Sequence, residues 1–371
     1  MNGSTVIALR TDASLQMGSG HVMRCLTLAD ALKAQGAQCH FISRQHPGHL
    51  LEVIHQRGHA VTALPAEYLS AASPTDIAAP THAEWLGCGW HTDAQQTSAL
   101  LDSLQPDWLV VDHYALDQRW EEALAANYRK LLVIDDLADR PHVCDVLLDQ
   151  TFGRSASDYH HLVPTNCSLL CGTQYALLRP EFAILRPYSL QRRQQSELRH
   201  LLITMGGVDK DNATGQVLQA LQQISLPLDC TITVVMGATA PWLQAVQAIA
   251  QIMPWPTQVL VGVSNMAQLM ADSDLAIGAA GATTWERCCL GLPSVMMVLA
   301  DNQRYAARQL QATGAVWVLD VQANLATSIK VVVQTLVDDP VALHHASVQA
   351  SKIADGQGCA ATLNTLHKLM N

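Results

Sequence analysis

The most regular pattern along the chain is an alternation of short, almost wholly apolar runs with longer segments that mix apolar and polar positions. The apolar runs predict β-strands with both faces covered, as in a parallel sheet between helical layers. The mixed segments predict the helices that connect parallel strands. In the first half the predicted strands are residues 6–9, 38–43, 60–64, 108–112, 130–134 and 146–149, and the predicted helices are residues 21–35, 49–57, 93–104 and 120–128.

The alternation stops at a polar, basic stretch and then starts again. Residues 187–199 begin with proline and are rich in Arg and Gln, which favours a linker between domains. We therefore predict two Rossmann-like doubly wound domains, residues 1–186 and 200–341, and an apolar helical segment, residues 342–371, that packs across both. The second set of predicted strands is 200–205, 229–236, 257–261, 275–278, 294–298 and 315–319, and the helices are 212–223, 240–252, 265–271, 283–290, 303–312 and 325–336. Residues 65–90 are irregular and predict a functional loop or a broken helix.

The composition permits two domains and restricts the classes of partner. The chain has 371 residues, which is long for one core, and 49% of them are hydrophobic. A formal net charge of −10 argues against nucleic acid or an anionic membrane as the main partner. A small anionic ligand remains possible, because local backbone dipoles can bind phosphate in an acidic protein.

Segment lengths and cysteine spacing predict a cytoplasmic protein with reduced thiols. No apolar run approaches the roughly 18–20 residues of a membrane span, and the apolar run near the N-terminus is too short for a secretory signal. The ten cysteines are scattered, and no Cys-x-x-Cys pair supports a zinc site. We therefore expect no membrane span and no metal.

A glycine turn between the first strand and the first helix is the first candidate for chemistry. Gly18 and Gly20 open the predicted helix, and His21 follows directly. Such a turn aims free backbone N–H groups and the positive end of a helix at an anion. The turn lacks both the full dinucleotide fingerprint and the P-loop ending. Packing geometry, with His21 as an N-terminal hydrogen-bonding residue, therefore stays an alternative.

Polar residues follow several predicted strands, where the carboxyl edge of a parallel sheet forms a ligand site. Asp12 follows the first strand, and Asp112, His113 and Tyr114 form a dense group of proton-transfer side chains after a later one. Asp12 or Asp112 could orient the His21 imidazole, as carboxylates do in catalytic triads. The alternative is that these residues cap the helices that follow.

The second half repeats the glycine turns. Gly206 and Gly207 follow its first strand, and the segment 278–286 combines small residues with Thr283 and Thr284 at a helix start. Hydroxyls and N–H groups at that start suit a diphosphate, and Glu286 could accept hydrogen bonds from ribose hydroxyls. Helix capping with an acidic first turn explains the segment equally well. Another polar rim follows the next strand, at Asn302 and Gln303.

Six motifs, in order, resemble one known family. They are GSGHVMR at 18–24, VDHY at 111–114, IDD at 134–136, YALLRPEF at 175–182, MGGVD at 205–209 and the segment 278–286. The chain resembles the UDP-2,4-diacetamido-2,4,6-trideoxy-β-L-altropyranose hydrolases of pseudaminic acid biosynthesis from about residue 10 to residue 303. The wider relatives are the GT-B glycosyltransferases, including MurG.

The resemblance implies a GT-B fold, in which two doubly wound domains face a cleft. It also implies a hydrolase that uses no cofactor or metal and releases UDP and 2,4-diacetamido-2,4,6-trideoxy-L-altrose, with inversion at the anomeric carbon. The family's catalytic histidine corresponds to His21, which would activate water. The motif tyrosine corresponds to Tyr114, close to the sugar and the water.

The resemblance further implies a set of substrate contacts. UDP would be bound by Thr283, Thr284 and Glu286, with backbone contacts to uracil near Asn265 and Met266. The remaining candidates for substrate binding are Asp12, Gly18, Gly20, Asp112, Arg179, Gly206, Gly207, Asn302 and Gln303.

The chain departs from the family's sequence pattern at two places, and two other functions stay open. The family often carries DGRG near the C-terminus, where this chain has DGQG at 355–358, and the segment 85–90 is individual. A glycosyltransferase would pass the sugar to an acceptor instead of water, and a sensor would bind the nucleotide sugar without turnover. The sequence does not derive the stereochemistry of the sugar or the oligomeric state.

Overall fold

The computed structural model describes residues 4–66, 79–195, 197–320 and 325–370. The chain divides into two compact units. Unit 1 comprises Met1–Leu177 and Cys359–Asn371, and unit 2 comprises Leu178–Gly358. Each unit is a parallel sheet with helices, so the predicted α/β class is confirmed.

Unit 1 contains a seven-stranded sheet of order β3-β2-β1-β4-β5-β6-β7, in which all paired strands are parallel. Its strands are β1 Val6–Thr11, β2 Gln38–Arg44, β3 Ala60–Leu64, β4 Trp108–Asp112, β5 Lys130–Ile134, β6 Val146–Asp149 and β7 Ser168–Cys171. Its helices are α1 Gly20–Ala34, α2 Leu51–Gln56, α3 Trp90–Leu104, α4 Gln118–Ala123 and, from the C-terminal end of the chain, α13 Gly358–Met370.

Two apolar layers cover the sheet of unit 1 because alternate strand residues point to opposite faces. Ile7 and Leu9 of β1 pack into one cluster, and Ala8 between them packs into the other. Leu363 and Leu366 of α13 belong to the first cluster, which explains why the end of the chain belongs to this unit.

Unit 2 contains a six-stranded sheet of order β10-β9-β8-β11-β12-β13, also parallel at every pair. Its strands are β8 His200–Thr204, β9 Thr231–Met236, β10 Thr257–Val261, β11 Leu275–Ala279, β12 Ser294–Val298 and β13 Val316–Asp320. Its helices are α5 Pro180–Arg192, α6 Ala213–Leu221, α7 Leu243–Gln251, α8 Met266–Asp272, α9 Thr283–Cys289, α10 Arg304–Ala312, α11 Leu325–Asp338 and α12 Pro340–Ser351.

The strand order reverses direction once in each sheet. The reversal falls between β1 and β4 in unit 1 and between β8 and β11 in unit 2. Loops that follow these strands diverge to opposite sides of the sheet, and the crevice that results is where doubly wound folds bind ligands. The candidate site of each unit is therefore expected at its own reversal.

The predicted linker 187–199 differs most from the structure. Helix α5 extends from Pro180 to Arg192 and belongs to unit 2. Its polar side chains satisfy backbone carbonyls: Ser189 donates to Leu290 O at 2.7 Å, and Arg193, one residue beyond the helix, donates to Met270 O at 2.8 Å. The polar character of this stretch therefore combines buried hydrogen bonds at Ser189 and Arg193 with exposed side chains on a helix, whereas the sequence pattern favoured a linker.

Two other predicted segments differ in detail. The helical segment predicted at 342–371 divides, with α12 in unit 2 and nearly all of α13 in unit 1. Of the irregular stretch 65–90, residues 67–78 lie outside the described residues. The remainder contains a 3₁₀ turn at Ala83–Leu86, and α3 begins at Trp90, earlier than the predicted residue 93.

Candidate functional site

The central contact of the site in unit 1 is between His21 and Asp112. His21 lies in the first turn of α1, which starts at Gly20, and Asp112 is the last residue of β4. The two elements flank the reversal of strand order, and His21 Nδ1 lies 2.6 Å from Asp112 Oδ1. Of the two carboxylates that the sequence offered as partners for the imidazole, Asp112 makes the contact.

Arg24 holds the same carboxylate from the next turn of α1. Its Nε donates to Asp112 Oδ2 at 2.6 Å, and its Nη2 donates to Asp112 Oδ1 at 2.7 Å. Burial opposes ionisation of Asp112, but Arg24 and His21 outweigh it and hold the pKa of the carboxyl far below its usual range. Asp112 is therefore an anion at neutral pH.

This arrangement fixes which imidazole nitrogen carries the proton. A carboxylate only accepts hydrogen bonds, so Nδ1 of His21 must donate to Asp112. In the neutral ring, Nε2 then holds the lone pair. His21 is 8% exposed, so most of its ring is buried at the carboxyl edge of the sheet. A histidine held in this way can accept a proton from water at Nε2.

Tyr114 lies against the imidazole and belongs to the same network. Its ring meets that of His21 edge to face, with centroids 4.5 Å apart, and its hydroxyl donates to Asp136 at 2.8 Å. Arg24 Nη1 donates to the same Asp136 oxygen at 2.5 Å. Burial and the Asp136 carboxylate raise the pKa of Tyr114 well above its usual value. The phenol therefore remains neutral, and it can position groups but cannot act as a base.

Asp12 belongs to a separate buried network. Its Oδ1 accepts from Arg10 Nη1 and from the Arg44 amide, both at 2.6 Å, and His113 Nε2 lies 3.2 Å from its Oδ2. Arg10 in turn pairs with Asp93 at 2.6 Å. Asp12 is completely buried, which favours a role in supporting the loop after β1 over the predicted contact with substrate.

Gly18 and Gly20 shape the loop that leads to His21. Gly18 adopts a φ of +78°, which L side chains rarely adopt, and exchanges backbone hydrogen bonds with Ser14. A Cβ at Gly18 or Gly20 would meet no atom within 4 Å. The open space beside both glycines is compatible with close approach of a ligand, and their contact with substrate stays a prediction.

The segment after β11 is the matching feature of unit 2. A Cβ at Gly278 would lie 2.1 Å from Arg287 Nη1 and 2.7 Å from Thr204 O, so glycine is required there. Arg287 is 1% exposed, and its Nη2 donates to Ala279 O at 2.7 Å and to Thr284 Oγ1 at 3.1 Å. Its Nε and Nη1 have no hydrogen-bond partner among the described residues. A buried cation therefore lies beneath this segment.

The residues predicted to hold UDP differ in accessibility. Thr283 is half-buried, whereas Thr284 is buried and its hydroxyl accepts from Arg287. Glu286 lies 3.5 Å from Arg179 Nη2. Burial raises the pKa of Glu286 to about 7, and Arg179 only partly opposes the effect. Glu286 can thus accept hydrogen bonds when ionised and donate one when protonated.

The glycines after β8 have a different environment from the one predicted. Asp209 accepts hydrogen bonds from Ala213 N at 2.8 Å and Thr214 N at 2.9 Å, so the start of α6 is already capped by a carboxylate. A Cβ at Gly237 would lie 2.0 Å from Gly207 O, which shows close packing between these backbones. Gly206 has a φ of +88° and open space beside it.

The other predicted contacts lie at strand ends of unit 2. Asn265 is exposed and Met266 half-buried at the start of α8, which follows β10. Asn302 is exposed after β12, and Gln303 accepts from the Leu299 amide at 2.9 Å. Their positions in unit 2 are compatible with ligand contacts, which stay predictions.

Sequence reasoning missed two arginines. Arg24 lies three residues after His21, so both side chains lie on one face of α1, and that spacing could have indicated their shared carboxylate. Arg287 follows Glu286 in the first turns of α9, and its burial had no signal in the sequence. Among the described residues, no helix is long and apolar enough to cross a membrane, and no three acidic, His or Cys side chains are grouped to hold a metal ion.

Comparison with known sequences identifies a domain and distant relatives. Residues 200–357 match the glycosyltransferase family 28 C-terminal domain. A UDP-2,4-diacetamido-2,4,6-trideoxy-β-L-altropyranose hydrolase from Campylobacter jejuni is 26% identical over 83% of this chain and 97% of its own length. The uncharacterized protein MJ1062 of Methanocaldococcus jannaschii is 24% identical over 80% of this chain. The match spans only 56% of the length of MJ1062.

Solved structures define the fold. MurG from Acinetobacter baumannii has a TM-score of 0.70 at 19% identity, covering 99% of this chain and 100% of its own. The calicheamicin glycosyltransferase CalG4 has a TM-score of 0.61 at 13% identity, covering 99% and 98%. The protein therefore has the GT-B fold. With the matched C-terminal domain, these findings support a glycosyltransferase-like enzyme of the GT-B superfamily.

Proposed function

We propose that this protein hydrolyses UDP-2,4-diacetamido-2,4,6-trideoxy-β-L-altropyranose to UDP and 2,4-diacetamido-2,4,6-trideoxy-L-altrose, as a cytoplasmic enzyme of pseudaminic acid biosynthesis. The ordered motifs and the relative from Campylobacter jejuni support this substrate. The observation that carries the proposal is the contact between His21 Nδ1 and the Asp112 carboxylate, 2.6 Å long. This contact orients the imidazole so that Nε2 can act on water.

In the proposed step, His21 Nε2 takes a proton from water as the water oxygen bonds to the anomeric carbon. The bond between that carbon and the diphosphate oxygen breaks, and its electron pair leaves with UDP. The Asp112 anion stabilises the imidazolium that forms, as in a Ser-His-Asp triad. The carboxylate pairs with Arg24 throughout, which fixes its orientation.

UDP is a good leaving group, so the step needs donors for the diphosphate more than a strong acid. We assign that part to the segment 278–286. The amide nitrogens of Gly281, Ala282 and Thr283 donate no hydrogen bond within the described residues. The buried Arg287 adds positive charge beneath them. Glu286 is assigned to the ribose hydroxyls.

The direct test is to mix the purified protein with the altrose nucleotide and measure free UDP and free sugar. Stoichiometric release of both supports hydrolysis, and His21→Ala is the matched inactive control. A folded protein that releases no UDP would refute the proposal. UDP-N-acetylglucosamine in a parallel reaction tests the choice of sugar.

A glycosyltransferase is the second candidate, because the chain matches the glycosyltransferase family 28 C-terminal domain and its fold resembles that of MurG. The same His21 would then deprotonate an acceptor hydroxyl. Adding candidate acceptor sugars to the reaction separates the two functions. Acceleration of UDP release, with a sugar conjugate as product, supports transfer, and an unchanged rate with free sugar supports hydrolysis.

A further inference from the structure

A short aromatic turn lies beside the His21 site in unit 1. The 3₁₀ turn Ala83–Leu86 carries Trp85, and His82 immediately precedes it. The ring centroids of His82 and Trp85 are 4.2 Å apart, and that of Trp85 is 5.9 Å from the Tyr114 ring in a stacked arrangement. Since Tyr114 contacts His21 at 4.5 Å, the rings form a continuous wall that starts at the imidazole.

The turn is anchored by Leu86, the residue after Trp85, and not by Trp85 itself. Leu86 is 1% exposed and packs in the core of unit 1 with Ile42 and Leu64. Trp85 is half-buried and belongs to neither hydrophobic cluster of unit 1 formed by the described residues. Core packing therefore does not explain why this position carries the largest side chain. The ring contacts that the structure describes for Trp85 are those with His82 and Tyr114.

Tyr114 cannot itself present much surface to a ligand. It is 6% exposed, its hydroxyl donates to Asp136, and the Arg140 guanidinium lies 5.9 Å from its ring centroid. His82 and Trp85 are both half-buried and continue the wall outward. A ligand that approaches His21 along this wall would therefore meet the indole and the outer imidazole.

We propose that Trp85, supported by His82, is a specificity-determining residue that stacks against the apolar face of the substrate sugar. Aromatic side chains are amphipathic platforms that line ligand sites, where a few polar groups fix orientation. A 6-deoxy, N-acetylated hexose offers more apolar surface to an indole than a fully hydroxylated hexose does. The identity of the sugar rests on the proposed function. The claim that Trp85 stacks against a sugar can be tested by binding alone.

The test compares Trp85→Leu, which removes the aromatic face but keeps apolar bulk, with Trp85→Phe, which restores a ring. We expect Trp85→Leu to lower kcat/KM for the altrose nucleotide about 10- to 100-fold. The preference of Trp85→Leu for that substrate over UDP-N-acetylglucosamine should fall, and its Kd for UDP should not change. The kcat/KM of Trp85→Phe should remain within a few fold of wild type. Trp242→Leu is the matched control, because Trp242 is 41% exposed in unit 2 and its indole donates to Lys210 O.

The outcomes separate this inference from the function on which it rests. If wild type hydrolyses the nucleotide and Trp85→Leu keeps its rate and substrate preference, the platform is refuted and the hydrolase stands. If wild type releases no UDP, saturation-transfer NMR with free 2,4-diacetamido-2,4,6-trideoxy-L-altrose decides. Sugar signals that disappear in Trp85→Leu and persist in Trp85→Phe support the platform, and equal signals or none in wild type refute it.

Discussion

The two units use different chemistry at equivalent positions of the same fold. At the reversal between β1 and β4, unit 1 carries charged side chains that pair with one another, including Asp112 with Arg24 at 2.6 Å. At the reversal between β8 and β11, unit 2 carries mainly glycine, alanine and threonine over the buried Arg287. The first arrangement orients a proton-transfer group, and the second exposes backbone donors.

This contrast shows how one topology can serve two tasks. A base requires a fixed tautomer and direction, so the side chains around His21 are held by ion pairs. An anionic ligand requires close approach to the backbone, which small residues allow. If the division is correct, substitutions in unit 1 should affect turnover, and those in unit 2 should affect nucleotide affinity.

The largest effect is expected from His21→Ala. Loss of the base should reduce kcat about 100- to 10,000-fold, the range that general-base catalysis contributes. The Kd for UDP, measured by isothermal titration calorimetry, should stay within about twofold, because UDP is assigned to unit 2. Activity within a few fold of wild type would remove His21 from the mechanism.

Asp112→Asn is expected to have the next largest effect. The amide would hold the imidazole without its negative charge, and it would leave Arg24 with a weaker partner. We expect kcat to fall about 100-fold, the lower end of what general-base catalysis contributes, and the free energy of unfolding to fall as well. Circular dichroism and thermal melting identify the folded fraction. A folded Asp112→Asn variant with wild-type kcat would refute the positioning role.

Glu286→Ala should change affinity and not chemistry. Loss of a buried hydrogen bond to ribose should weaken UDP binding by about 1–3 kcal/mol. At saturating substrate, kcat should remain near that of wild type, which is the reverse of the result for His21→Ala. Unchanged affinity for UDP would refute the assigned ribose contact. It would also refute the division of turnover and nucleotide binding between the two units.

The last effect concerns pH and Glu286, and it changes stability and not the chemical step. Its pKa is raised to about 7 by burial, so the folded protein retains a proton that the unfolded chain loses near its ordinary value of 4.5. The folded state therefore binds more protons, and stability relative to Glu286→Gln should fall as pH rises from about 4.5 to 7. The shift from 4.5 to about 7 corresponds to a change of about 3 kcal/mol across this interval. Paired denaturant titrations across that interval test it, and a flat difference would contradict the raised pKa.

Sequence patterns predicted most of the fold because buried parallel strands are continuous apolar runs. The strands β3, β4, β5, β6, β10 and β12 have the bounds that were predicted. Strand β7, Ser168–Cys171, which pairs with β6 at the edge of the sheet, was missed. Helix α5 was missed because its polar side chains bond carbonyls of residues about 100 positions away, as Ser189 does with Leu290.

The site was predictable in its components but not in their pairing. The sequence suggested His21, Tyr114 and two possible carboxylates, because each follows a strand at the same edge. The choice between Asp12 and Asp112 depends on three-dimensional position: Asp12 lies against Arg10 and the Arg44 amide, whereas Asp112 lies against the imidazole. The capping of α6 by Asp209 also depends on a loop conformation, with a φ of +46°, that no pattern indicated.

The central claim is that His21 delivers water to the anomeric carbon. The most direct measurement is hydrolysis of the altrose nucleotide in ¹⁸O-labelled water, followed by mass spectrometry of both products. The account predicts one ¹⁸O atom in the anomeric hydroxyl of the released sugar, none in UDP, and labelling at least about 100-fold slower with His21→Ala. Label in the UDP phosphate, or equal labelling rates with and without His21, would contradict it.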